Sequence, residues 1–342
     1  MKYTDEQLQG AVRNGIFTET QVRDFTAFVE REYDSVSGIQ RVLYYGGALI
    51  TISALTWLMK SSWDSFGAQG MLVVASAYFA AFMAAGYVLF FRKSLPVAGG
   101  LLFSVAIAVV PLLAFSVMKT FDFWPQDTEY GDFYAWIKGK WVVLELATIV
   151  VALAIFARTK FSFILFLVSF ALWFMSMDIV PILYGENDFS WTSRAHVSMA
   201  FGVAMIAAGY FSDLKFRKDY SFWLYLFGLM TLTFGFSVFY NDNLFMLCAL
   251  GLLHVFLIVL SLVLDRTVFL VFGTLGIMEF LSRVSYEWFA DSPLFPFSLT
   301  VIGVLLIALG VAYQRNRKAI DEAMQKYLPE ALLRVRPKRL RE

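Results

Sequence analysis

Residues 161–184 read FSFILFLVSFALWFMSMDIVPILY, an apolar run in which Asp178 is the only charged side chain. A helix crosses the hydrocarbon layer in about 17 to 25 residues, and a lone strand there would leave its backbone groups unpaired, so this stretch predicts a transmembrane helix. Working outward from it, nine more stretches have the same character: 43–59, 70–91, 95–118, 141–157, 195–211, 221–240, 244–264, 267–284 and 294–313. The expected fold is therefore an all-α integral membrane protein with about ten transmembrane helices.

Composition points the same way, with 59% hydrophobic and 18% aromatic residues and a mean hydropathy of +0.65, more apolar surface than a soluble domain of 342 residues can cover. A net charge of +1 carries no information about partners, but the distribution of cations does. With the amino terminus inside, 22 Lys and Arg fall on the cytoplasmic side and six outside (Lys60, Lys119, Lys138, Lys140, Arg194 and Arg283), which predicts both termini in the cytoplasm. The single cysteine, Cys248, excludes an intrachain disulfide and cysteine-based zinc or iron-sulfur centres. No cleavable signal is expected, since residues 1–42 are polar and carry both charge signs.

Three regions follow: a cytosolic helical hairpin and linker at 1–42, the transmembrane domain at 43–313, and a cytosolic amphipathic and basic tail at 314–342. In the hairpin, Asn14-Gly15 stops one helix and Thr18 with Gln21 forms a capping box for the next. Leu8, Val12, Ile16, Val22, Phe25 and Phe28 supply its apolar faces, which suit packing on the membrane domain or on a protein partner. The tail ends in Arg334, Arg336, Lys338, Arg339 and Arg341, a cluster that next to a bilayer reads as binding anionic lipid; no recognition fold or aromatic interleaving supports a nucleic-acid partner. The long loop Lys119–Trp141 is acidic and aromatic, which fits a belt in the headgroup zone or a lid over an outward cavity.

The stretches RNGIFTETQV (13–22) and RVLYYGGALITISALTWLMKSSW (41–63) resemble the opening of the bacterial membrane-protein family called domain of unknown function 2157. In that family a short helical hairpin precedes the first span and a Trp, here Trp63, follows it. The later segment FGTLGIMEFLSR, followed by DSPLFPFSLTVIGVLLIALGVAYQR, is similar to the closing spans of such proteins. The resemblance implies a bacterial inner-membrane setting and no established activity, catalytic residue or cofactor.

Function must then be sought among ionisable groups within the spans, each of which costs about 2.5 to 3.5 kcal/mol on insertion scales. Asp178, Glu279 and Glu145 are expected near the outer face, and His254 near the middle of its span. Pro181 removes a hydrogen bond to Met177 and should break the helix beside Asp178, an arrangement that suits a cation or amine. Pro111 should kink a second span. Each group has a plainer explanation: Asp178 reaching the outer headgroups from a Pro-kinked helix end, Glu145 reaching the interface beside Lys140, His254 bonding within the bundle, and Glu279 pairing with Arg283 at i,i+4. No catalytic motif, paired-His metal site or phosphate-cradling loop is present. The expected function is a carrier-like protein that binds a cation or small protonated solute through Asp178, Glu279, Glu145, Arg283 and His254. The alternative is a membrane scaffold acting through its hairpin and tail.

Overall fold

The computed structural model describes residues 5–33, 38–124, 141–184, 190–216, 218–238, 244–289 and scattered positions from 296 to 315. Among these residues the chain is all helix. Helices α1 (Asp5–Arg13) and α2 (Glu19–Tyr33) form the expected hairpin. Gly15, at a φ of 68°, supplies the left-handed residue that ends α1. The capping box at the start of α2 is reciprocal: the Gln21 amide N–H donates to Thr18 Oγ1 at 3.2 Å, and the Thr18 N–H donates to Gln21 Oε1 at 2.9 Å. Leu8 is buried and Val12 and Val22 line the groove between the helices, whereas Ile16 and Phe25 are exposed.

Beyond the hairpin come α3 (Gly38–Tyr87, running into a π-helical turn at Val88–Arg92), α4 (Pro96–Thr120), α5 (Trp141–Thr159), α6 (Ile164–Asp178), α7 (Val180–Tyr184), α8 (Trp191–Lys215), α9 (Phe222–Val238), α10 (Leu244–Leu264) and α11 (Thr267–Phe289). Among the described residues, six helical stretches are long and apolar enough to cross a membrane: Phe66–Arg92, Pro96–Thr120, Trp141–Thr159, Ile164–Tyr184, Trp191–Lys215 and Thr267–Tyr286. Val42–Leu55, Phe222–Val238 and Phe245–Ser261 are shorter apolar helices. The stretch at 294–313 lies largely outside the described residues. Large apolar side chains such as Val150, Phe211, Leu252 and Leu275 point outward, as a helical membrane protein requires of its lipid-facing surface.

The sequence predicts a polar loop between the first two spans, but helix runs on through that region and breaks only at Gly67 (φ 62°, ψ −175°), a backbone conformation open to glycine. The chain reverses there. Ala48 packs with Leu101 and Val105 of α4, while Met71 packs with Val109 and Leu112 and Gly86 lies against Gly99 and Phe103. The two halves of α3 thus run antiparallel along one neighbour.

Small residues set the other close contacts. A Cβ on Gly202 of α8 would lie 2.7 Å from the Leu232 backbone nitrogen and 2.8 Å from the Gly228 carbonyl oxygen of α9. Gly209 meets Tyr225 and Gly235 meets Ala195 and Met199, so α8 and α9 are antiparallel along their length. Gly273 and Gly276 do the same for α11 against Ile258 and His254 of α10. Gly46 and Gly47, by contrast, face open space. Pro111 sits inside an uninterrupted α4, whereas before Pro181 the helix is interrupted at one residue, Ile179, which keeps helical angles (φ −77°, ψ −17°): α6 ends at Asp178 and the single turn α7 continues the stretch.

Candidate functional site

Glu145, Asp178 and Arg194 converge at one end of the bundle. Glu145 occupies the second turn of α5, Asp178 is the last residue of α6, and Arg194 lies in the first turn of α8. Because α5 and α6 are joined by a tight turn, the start of one meets the end of the other, and the Glu145 and Asp178 carboxyls face each other. The Arg194 guanidinium faces Asp178 from α8. One turn deeper, the hydroxyls of Ser176 and Ser198 lie 3.3 Å apart and tie α6 to α8.

Glu145 and Arg194 each retain only 8% of their accessible surface. Each also keeps a buried polar atom without a hydrogen-bond partner, Glu145 Oε2 and Arg194 Nη2. The hydroxyls of Ser116 and Thr120 on α4 are likewise unpartnered. They belong to the same end of the bundle, since Leu144, next to Glu145, packs with Phe115, Met118 and Trp124. Chemically, two carboxyls in contact must share a proton or a cation, because carboxylates only accept hydrogen bonds and repel one another.

Arg194 is the residue that sequence reading missed. It precedes the apolar run of α8 and reads as an outer-loop cation, but it is buried inside the bundle. Trp124 and Trp141, read as headgroup-zone rings, pack edge to face at 5.9 Å, with Trp124 also 4.7 Å from the Phe115 ring. The acidic part of that loop, 125–140, lies outside the described residues.

Glu279 has partners outside this group. Its Oε1 accepts from Arg283 Nε at 3.1 Å and Nη2 at 2.6 Å, and its Oε2 accepts from the Ser237 hydroxyl of α9 at 3.4 Å. No described hydrogen bond or ion pair joins Glu279 to Glu145 or Asp178. His254 is buried against α11, and its Nδ1 donates to the Leu250 carbonyl one turn earlier at 2.7 Å, the ring covering Gly276. Among the described residues no group of three or more His, Cys, Asp or Glu gathers as a metal site. The basic cluster from Arg334 to Arg341 falls outside the described residues.

The opposite end of the bundle holds a second polar cluster, which sequence reading also missed. Arg266, counted as a loop cation, is 6% exposed and grips Asp213, which is 4% exposed, through Nε at 3.0 Å and through Nη2. Its Nη1 donates to Asp219 at 2.7 Å, and Nη2 also donates to the Ser221 hydroxyl at 2.5 Å. Ser221 and Tyr225 in turn donate to Asp213 at 2.7 and 3.1 Å, and the guanidinium lies 5.6 Å from the Tyr225 ring centre. Asp265 enters the left-handed region (φ 50°), a conformation aspartate tolerates, and so turns Arg266 inward between α10 and α11. Burial works against the charged guanidinium, but the hydrogen bonds and charges of Asp213 and Asp219 outweigh it and raise Arg266 above its usual range. Each nitrogen of the Arg266 guanidinium meets an acceptor, so the cluster reads as a clamp between the α8–α9 and α10–α11 hairpins, whereas the Glu145 end keeps unmet polar atoms. No protein-family model, no curated protein and no solved structure matches the chain.

Proposed function

We propose that this chain is a carrier-like protein of a bacterial inner membrane, with ten spans and both termini cytoplasmic, that binds a cation or small protonated solute at the Glu145–Asp178 pair near the outer face. The observation that carries the reading is the meeting of two carboxyls from separate helices, Glu145 buried and Asp178 half-buried, with one Glu145 oxygen left without a partner. Such a pair is costly in hydrocarbon and is relieved by a proton or by a positively charged ligand. The interruption of the helix next to Asp178, ahead of Pro181, which cannot donate a backbone hydrogen bond, supports it further. The orientation rests on the cation bias, which persists when the buried Arg194 and Arg266 are set aside from either side. Glu279, Arg283 and His254 serve packing in this reading.

The test uses protein in lipid nanodiscs, with sodium, potassium and methylammonium as probes and thermal stability as the readout. At least one probe should raise the unfolding temperature in the wild type, and Asp178→Asn and Glu145→Gln should abolish that response. A response that survives both substitutions removes the carboxyl pair from the function.

A second reading, a scaffold acting through the hairpin, draws on the exposed Ile16, Phe17 and Phe25 beside the α1–α2 groove. It predicts that deleting residues 1–36 abolishes function while the two carboxyl substitutions leave it intact.

A further inference from the structure

Arg194 narrows what the site accepts. We infer that the ligand is a small zwitterion, carrying an ammonium and a carboxylate, and not a bare metal ion; the inference rests on the carboxyl-pair reading above. Two unmet atoms of opposite character lie in this one cluster, the acceptor Glu145 Oε2 and the donor Arg194 Nη2, each on a side chain more than nine-tenths buried. A buried charged group with an unmade hydrogen bond is expensive, and the expense is relieved only by a partner of the complementary kind.

A metal ion meets half of that requirement. It would coordinate the carboxyl oxygens but leave the guanidinium donor unmet, and it would sit against a positive charge already facing Asp178. An ammonium group donates to Glu145 Oε2, while a carboxylate on the same molecule accepts from Arg194 Nη2. The planar guanidinium fork is the side chain best shaped for a carboxylate, and a lysine in its place would supply charge without that geometry. A water molecule can also bridge such a donor and acceptor, so the experiment must separate a solute from water.

Binding to the full chain in nanodiscs is measured for glycine, β-alanine and 4-aminobutanoate, which differ in the spacing of their charges, and for methylammonium, acetate and sodium. At least one zwitterion should bind ten-fold or more tightly than methylammonium, acetate or sodium. Arg194→Gln should bring its affinity down to that of methylammonium, and Arg194→Lys, which keeps the charge facing Asp178, should weaken it several-fold. Methylammonium or sodium binding as tightly as the best zwitterion overturns the inference and leaves the carboxyl-pair reading standing, as does an Arg194→Gln variant that keeps the preference. If none of the probes binds, water fills the site and both fall.

Discussion

Arg266 makes four side-chain hydrogen bonds to Asp213, Asp219 and Ser221, and the two carboxylates differ sharply in exposure: Asp213 is 4% exposed and the Asp219 side chain 51%. Asp213→Asn and Asp219→Asn each remove one carboxylate from the same guanidinium, so comparing them isolates the effect of burial. Asp213→Asn leaves a buried guanidinium whose remaining carboxylate is half in water, and removal of one partner from a buried pair costs about 3 to 5 kcal/mol. Asp219→Asn breaks a screened surface pair and costs under about 1 kcal/mol. The combined variant Asp213→Leu/Ser221→Ala/Tyr225→Phe/Arg266→Met removes both charges together with the two buried hydroxyls that donate to Asp213, and should recover to within about 1 kcal/mol of the wild type, since well-packed apolar groups replace buried ion pairs at little loss. The assay is equilibrium unfolding in mixed micelles, followed by tryptophan fluorescence. Equal losses for the two aspartates, or a combined variant as unstable as Asp213→Asn, would refute the assignment of this cluster as a buried clamp. Because the Arg266 guanidinium titrates above its unfolded-state value, its contribution is complete below the ordinary arginine range and is lost only as pH rises past it, so the difference between the variants should not change between mildly acid and mildly alkaline pH.

Other substitutions test the packing. Gly202→Ala drives a Cβ to 2.7 Å from the Leu232 backbone nitrogen, which cannot rotate away, so α8 and α9 must separate at a cost of about 1 to 3 kcal/mol; Gly10→Ala in α1, with nothing within 4 Å, should instead stabilise its helix slightly. Gly276→Ala drives its Cβ into the His254 ring, and combining it with His254→Ala should relieve most of the loss, which a double-mutant cycle in the same unfolding assay measures. Glu279→Gln breaks a pair about one-third exposed on both sides, so it should cost under about 1 kcal/mol and leave solute affinity unchanged.

Features governed by near neighbours along the chain are legible in the sequence. Nine of the ten expected spans coincide with helices among the described residues, and the Thr18–Gln21 box, the stop at Gly15, the break before Pro181 and the Glu279–Arg283 pair all depend on spacings of four residues or fewer. Arg194 and Arg266 show what cannot be read there. A charge at the edge of an apolar run has the same hydropathy whether it faces water or a carboxylate on another helix. Arg266 finds Asp213 at a separation of 53 residues, a distance that only helix packing fixes. The Ser237 partner of Glu279 is hidden for the same reason: depth along a helix is readable, but the direction around it is not, and α9 lies 42 residues earlier in the chain. The reversal at Gly67 is hidden because helix continues on both sides of one residue.

The central claim, that the Glu145–Asp178 pair receives the ammonium group of a small solute that crosses the membrane, is tested most directly by uptake of radiolabelled methylammonium, the simplest such group, into proteoliposomes. Wild type, Asp178→Asn and Glu279→Gln are compared at equal protein density. The account predicts uptake by the wild type and Glu279→Gln and a loss of at least ten-fold in Asp178→Asn. Uptake that survives in Asp178→Asn, or that fails in Glu279→Gln alone, would contradict it.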